Sequence, residues 1–336
     1  MISDSYVTLA HGNGGRFMRE LIEQIFARHL ANPSLDVTTD AAPIRLAPDL
    51  ETVITTDSFT VQPLEFPGGN IGSLAVHGTV NDLAVSGAMP LFLTLNALIE
   101  EGLEIAVLDR IARSLGRTAQ AAGVQVVAGD TKVVPRGEGG GLYLATTGVG
   151  QRAMGCNLGT GSIQAGDAVL VSGPVADHGV AVMLARGDFG LSGTVMSDCA
   201  CVTALTLPIA KNPAVRFMRD PTRGGLATVA HEIALAAKLD VHLLEDKIPI
   251  RGSVRSVCAI LGYDPLYLAC EGRVVAVTTA EAADDILALW RQVPGGEQAS
   301  RIGILRAGSG DVVLQTEIGG LRALDELEDD PLPRIC

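Results

Sequence analysis

Short β-branched and apolar runs alternate with helical patterns along this chain, but not in the strict strand–helix–strand order of a doubly wound parallel sheet. Thr52 to Thr56 is a β-branched run that ends at Asp57, so a strand delivers a carboxylate at its C-terminal edge. Leu91 to Leu98 and Val124 to Ala128 read as further strands, the second running into Gly129-Asp130-Thr131, and Leu142 to Val149 closes the first half. Helical spacing covers Ser73 to Gly87 and Glu104 to Ala122, with Gly123 as the stop. Ahead of these, a Gly-rich loop through Gly15 precedes a helix from about Arg16 to His29, and three prolines mark 32–48 as a loosely held connection.

A second unit begins near Gly159. Strands are predicted at Asp167 to Ser172, Val241 to Leu244 and Val274 to Thr279, and helices at His178 to Arg186, Asp198 to Leu207, Leu226 to Lys238 and Asp284 to Gln292. From Arg301 the pattern is strands and turns. The fold class is therefore α/β in the mixed, α+β sense, as a two-unit sandwich.

Charge narrows the function. The 336 residues carry a net charge of −13, the wrong sign for a protein that tracks a phosphate backbone, and 4% aromatics leave few platforms for stacked bases. An acidic protein that handles nucleotides needs metal ions to offset its own charge and the ligand's. The apolar run Leu91 to Ile99 is interrupted by Thr94 and Asn96 and is too short to cross a bilayer. Six cysteines without a CxxC pair fit neither a disulfide framework nor a zinc knuckle, and a reducing cytoplasm is expected. Cys199 and Cys201 read as buried or half-buried thiols at the start of an apolar helix.

No GxxxxGK[ST] occurs, and His11-Gly-Asn-Gly-Gly15 lacks the last glycine of GxGxxG. What stands out is a set of carboxylates at strand ends or beside glycines: Asp57, Asp82 in Gly78-Thr-Val-Asn-Asp82, Asp130, and Asp220 in Asp220-Pro-Thr-Arg-Gly-Gly225. Carboxylates converging at a sheet rim repel one another unless a cation sits among them, and Mg²⁺ takes oxygen ligands together with substrate phosphates. Glycine-rich turns can present N–H groups to those phosphates, and Arg223 can reach the same groups. Each signal has a plain structural counterpart. An Asp before a turn can be a turn former or helix cap, His11 a surface histidine, Arg223 a solvated helix-start residue. Read together, they point to a Mg-nucleotide enzyme.

The last stretch, Glu326 to Cys336, is a proline-stiffened tail whose final six residues would span about 20 Å if extended. It is either a thiol on a swinging arm or a frayed end with an incidental cysteine, and it is no prenylation box, because nothing follows Cys336.

Taken in order, His11 to Gly15, Thr56-Asp57-Ser58-Phe59, Phe66-Pro-Gly-Gly69, Gly78 to Ala84, Gly129-Asp130-Thr131-Lys132-Val133-Val134, Asp220 to Leu226 and Pro331-Leu-Pro-Arg-Ile-Cys336 resemble the HypE family of hydrogenase maturation factors. The Asp57, Asn81-Asp82 and Asp130 elements are also similar to the wider superfamily of aminoimidazole ribonucleotide synthetase, selenophosphate synthetase and thiamine-monophosphate kinase; the tail singles out HypE. The resemblance implies a two-domain PurM-like fold, with segment 1–42 as N-terminal loop and helix, 43–155 as the ATP-binding domain, 156–320 as the C-terminal domain and 321–336 as a flexible tail. It implies a homodimer paired through the N-terminal sheet.

It further implies that ATP with Mg²⁺ is held by Gly12, Asn13, Gly14, Gly15, Asp57, Asn81, Asp82, Gly129, Asp130, Thr131, Asp220 and Arg223, the four aspartates serving as metal ligands. The implied partners are a carbamoyltransferase, HypF, which loads Cys336, and a HypC–HypD scaffold that receives cyanide for [NiFe]-hydrogenase iron. The implied reaction is ATP-driven dehydration of a carbamoyl group on Cys336 to a thiocyanate. Glu271 is the candidate base and Lys132 the group that polarises the amide or neutralises the γ-phosphate; for both, a plain ion pair is the alternative. The sequence departs from the family at Cys270, where Asn is common, which puts an amide contact in doubt and sets a second thiol beside Glu271. Two rivals stay open: a superfamily synthetase or small-molecule kinase with no use for Cys336, and a scaffold that binds partners without turnover.

Overall fold

The structure, a computed structural model, describes residues 4–39, 41–187, 190–191 and 193–328. The N-terminal helix is built in three pieces, α1 (Arg16–Leu21), a π-helical stretch (Ile22–Ala27) and α2 (Arg28–Leu30), which bury Leu21, Ile25, Phe26 and Leu30. Then come β1 (Leu50–Phe59), the small hairpin β2 (Glu65–Phe66) and β3 (Gly69–Asn70), α3 (Ile71–Val85), β4 (Met89–Glu100), α4 (Ile105–Ala122), β5 (Gln125–Val134) and β6 (Leu142–Ala153). The first sheet has the order β1-β6-β4-β5, with β4 and β5 parallel and the other pairs antiparallel.

Helices cover one face of this sheet. In α4, Leu108, Ile111, Ala112, Leu115 and Ala119 form a single buried stripe at helical spacing, and Gly123 ends the helix at φ 73°. Its i, i+3, i+4 periodicity is why the sequence exposes it so clearly. α3 is different, because nearly every residue is buried. Its N-terminal turns pack in the core of the first sheet, whereas Ala84 and Val85 join the core of the second. Asn70 caps it, accepting from the N–H groups of Gly72 (2.9 Å) and Ser73 (3.1 Å). The opposite face of the sheet is uncovered: Ile54 is 69% exposed, and Leu98 and Tyr143 are also exposed there.

The second unit runs β7 (Ala168–Val171), α5 (Asp177–Arg186), α6 (Thr203–Thr206), β8 (Val215–Arg219), α7 (Gly225–Ala237), β9 (Leu239–Leu244), α8 (Gly252–Leu261), β10 (Val275–Thr278), α9 (Ala283–Trp290), β11 (Ser300–Ala307), β12 (Val312–Gln315) and β13 (Leu321–Ala323). Its sheet order is β13-β12-β9-β11-β7-β10-β8. Along β7, Val169 and Val171 face the cluster built with α7, while Ala168 and Leu170 face the cluster built with α9. Both faces of the sheet are thus covered, which explains the uninterrupted apolar run of that strand.

Two expectations change, the helix over Asp198 to Leu207 and the start of the tail. The helix expected over Asp198 to Leu207 shrinks to α6, because the backbone of 198–202 is held by side chains from elsewhere in the chain instead of by its own ladder. Cys199 and Cys201, in that irregular stretch, are half-buried as expected. The tail expected from 321 starts later, since β13 pairs with β12, Leu324 is buried, and the Tyr267 hydroxyl donates to the Asp325 carbonyl at 2.6 Å.

Candidate active site

Three of the four expected aspartates meet where α3 passes between the two sheets. Asp57, near the end of β1, points toward α3, where Gly78 leaves the space: a Cβ there would lie 2.6 Å from the Phe59 ring and 3.6 Å from Asp57 Oδ2. The Ser58 N–H donates to Asp57 Oδ1 at 2.7 Å, and the Thr55 hydroxyl donates to Asp82 Oδ2 at 2.9 Å. Asp220 follows β8 and is 5% exposed. Burial raises the pKa of all three, and for Asp57 and Asp220 the neighbouring carboxylates raise it further; Asp220 is pushed up to about 7. Arg223 offsets part of the charge at Asp57, and Arg219 part of that at Asp82 and Asp220.

Among the described residues no three His, Cys, Asp or Glu side chains close into a ready-made metal cage. Mutually repelling carboxylates short of a full cage still suit a cation that completes its shell with water and phosphate oxygens, as Mg²⁺ does.

The peptide leading to Glu271 adjoins this cluster, the Cys270 N–H donating to the Pro221 carbonyl beside Asp220 at 3.0 Å, and Glu271 is 4% exposed. Its backbone N–H donates to Asp198 Oδ1 at 3.1 Å, and its carbonyl accepts from Asn81 Nδ2 at 3.2 Å and the Ala200 N–H at 3.3 Å. Asn81, 1% exposed, also donates to the Ala200 carbonyl at 3.0 Å and accepts from the Val202 N–H at 2.9 Å. Its amide thus binds protein backbone on both its nitrogen and its oxygen. Behind Glu271, the buried Arg273 lies 3.3 Å from Asp198 and 3.7 Å from Asp177, and donates to the carbonyls of Pro174 (2.8 Å) and Gly295 (2.9 Å). Asp177, Asp198 and Arg273 escaped the sequence reading, since nothing local marks three charges 21 and 75 positions apart as one buried network.

Cys270 is fully buried, its Sγ accepting from the Ala176 N–H at 3.2 Å, and burial holds its thiol well above the usual range. It is a core thiol and not a second reactive group beside Glu271.

The remaining expected residues stand apart. Asp57 pairs in register with Thr146, Leu95 and Gly129 across the sheet, so Asp130, one residue on, faces the other side. Asp130 and Lys132 are exposed; Thr131 turns inward and is buried. The Gly12–Gly15 loop with Asn13 lies by the same strand, where a Cβ on Gly12 would come within 2.7 Å of Val133. His11 is buried, with Nδ1 accepting from the Thr8 N–H at 3.1 Å, so it is no surface histidine. Beside Gly129-Asp130-Thr131 opens a cavity of about 140 Å³ lined by Phe26, Leu30, Leu95 and Val126 together with Asp36 and Thr39. Cys336 lies outside the described residues.

Residues 38–152 match the family model for the N-terminal domain of AIR synthase related proteins, and residues 164–315 match that for the C-terminal domain. The chain is 44% identical to carbamoyl dehydratase HypE of Azotobacter vinelandii, over 98% of this chain and 97% of that one. The chain belongs to the HypE family. A crystal structure of HypE in complex with ATP superposes with a TM-score of 0.93 at 42% identity, covering 98% of this chain and 99% of that chain. HypE in a HypE–HypF complex matches with a TM-score of 0.80 at 40% identity, over 91% and 99% of the two chains. The resemblance read from the motifs is thus borne out end to end, as is the two-domain fold of the HypE family.

Proposed function

We propose that this chain dehydrates a carbamoyl group carried on its own Cys336 to a thiocyanate, consuming ATP, as a maturation enzyme for [NiFe]-hydrogenase. The observation that carries this reading is the convergence of Asp57, Asp82, Asp220 and Arg223 beside the buried Glu271, in a chain that aligns throughout with a HypE solved with ATP.

An amide oxygen leaves poorly, so the carbonyl oxygen of the S-carbamoyl group first attacks the γ-phosphorus and ADP departs. The C–O bond then breaks, phosphate leaves with that oxygen, and the nitrogen gives up two protons to form the C≡N bond. Glu271, almost fully buried, is the proposed base for one of them. Arg223 faces the phosphates. Asp57, Asp82 and Asp220 would hold Mg²⁺, which when bound offsets charge between the carboxylates and the polyphosphate. Gly12 to Gly15, Gly129, Asp130, Thr131 and Lys132 belong to a second group of contacts on and around β5; there Asp130 and Lys132 act from the open face, toward nucleotide or a neighbouring subunit.

HypF is the proposed donor of the carbamoyl group, and a HypC–HypD scaffold the proposed acceptor of cyanide. A homodimer paired through the uncovered face of the first sheet is proposed from its exposed Ile54, Leu98 and Tyr143. No helix among the described residues is long and apolar enough to cross a membrane, and the cytoplasm is the proposed location.

Intact mass after carbamoylation and then ATP tests the reaction. A carbamoyl adduct on Cys336 that loses one water only with ATP supports it. An adduct unaffected by Cys336→Ala sinks the tail mechanism and returns the chain to a synthetase or kinase reading.

A further inference from the structure

We infer that Asn81 is a positioning residue for Glu271: it couples the helix that carries Asp82 to the peptide that carries the base. The inference rests on the reading of Glu271 as that base. Glu271 is gripped on both sides of its backbone by buried side chains from two other segments. Asp198, from the irregular stretch after α5, takes its N–H at 3.1 Å, and Asn81, from α3 of the first unit, reaches its carbonyl at 3.2 Å. The same Asn81 amide fixes Ala200 and Val202, at 3.0 and 2.9 Å, so the 200–202 segment and the Glu271 peptide hang on one side chain. Each of these Asn81 hydrogen bonds goes to main chain, and at 1% exposure solvent cannot replace them.

The geometry leaves little slack. The peptide after Glu271 passes so close to Asp198 that a Cβ on Gly272 would lie 1.9 Å from the Asp198 carbonyl oxygen. Asp198 is itself fixed by Arg273 at 3.3 Å. One residue along α3 from Asn81, Asp82 is held by Thr55 on β1. A single helical turn thus sets the phosphate-side carboxylate with one residue and the base with the next, across the boundary between the two units. A residue whose backbone is fixed by side chains from separate parts of the chain is held to the tolerance that proton transfer requires.

The test uses full-length protein, carbamoyl-loaded on Cys336, in single-turnover dehydration with MgATP followed by intact mass. Asn81→Ala is expected to slow dehydration about tenfold or more while the Kd for ATP stays within about twofold, as for lost positioning and not lost binding. Glu271→Asp supplies a slowed base. If Asn81 acts through Glu271, adding Asn81→Ala to Glu271→Asp costs little further, because the placement it maintained is already lost.

An unchanged rate in Asn81→Ala, or a full second loss in the double variant, overturns the inference. Should Asn81→Ala fail to fold, Asn81→Asp keeps the acceptor for Val202, lacks both donors, and carries the same expectations. Failure of the underlying reading shows separately, as Glu271→Gln dehydrating at the normal rate.

Discussion

Asp57 and Asp130 project from opposite faces of the same four-stranded sheet. Their rungs are adjacent, but β6 and β4 lie between their strands, so about 14 Å of sheet separates the two backbones. One of the two belongs to the carboxylate cluster under α3. The other shares the open face with Lys132, Leu98 and Ile54. Within one chain, the expected ring of four aspartates is therefore a group of three and a separate fourth.

The open face should be an interface between two copies. Ile54, 69% exposed, is the most exposed of its large apolar side chains, so a charge there would lie largely in solvent in the single chain. Ile54→Asp is expected to leave the thermal midpoint of the folded chain nearly unchanged and to convert dimers to monomers by light scattering. A dimer that survives the substitution would place the interface elsewhere.

Gly225 should tolerate no side chain. Its φ is +61°, and a Cβ would lie 2.6 Å from the carbonyls of both Leu266 and Leu268. Gly225→Ala is expected to lower stability in urea by about 1–3 kcal/mol from the left-handed backbone alone, with more from the carbonyl contacts. Gly252→Ala is the control, since nothing lies within 4 Å of that Cβ and its φ is ordinary. Equal midpoints for the two variants would contradict the close approach.

Sequence pattern revealed what local rules govern. The β-branched run before Asp57 and the stripe and glycine stop of α4 were legible because period and capping are written in neighbouring residues. The position of Asp220 beside Asp57 and Asp82 is a product of chain topology; its Gly-rich motif marked it as a candidate carboxylate but not which carboxylates it meets. The 198–202 stretch misled for a physical reason. Its apolar residues suit a helix, but Asn81 lies more than a hundred positions away and takes the hydrogen bonds a helix needs. That Asp130 faces the open side was not legible, because periodicity gives alternation along a strand but not which face a distant strand shares.

Arg273 should be a structural keystone. It is the buried cation between Asp177 and Asp198, and burial already raises the pKa of both carboxylates. Arg273→Met leaves two carboxylates without it and is expected to cost about 3–5 kcal/mol. Without the guanidinium their folded pKa values rise further above the unfolded ones. The added loss then grows as pH rises through that window and shrinks toward acid. Urea midpoints at pH 5 and pH 8 check this, and a defect equal at both would show that packing, not charge, dominates.

Asp220 gives the sharpest pH signature. Its folded pKa is raised to about 7, first by burial and then by Asp82, while an unfolded Asp titrates near ~3.9. Between those values the folded chain keeps a proton that the unfolded chain has lost, so stability falls as pH rises through the window and levels off above it. Asp220→Asn has no such proton to lose. Without metal or nucleotide, it is expected to match the unaltered chain near pH 4 and to melt higher at pH 8, by about 2–4 °C for each kcal/mol relieved. MgATP at pH 8 should then raise the melting temperature of the unaltered chain more than that of Asp220→Asn, because a bound cation relieves the repulsion that the amide never had. A variant less stable than the unaltered chain at pH 8 would mean that the carboxylate is already compensated within the protein, and the case for a cation at this cluster would fall with it.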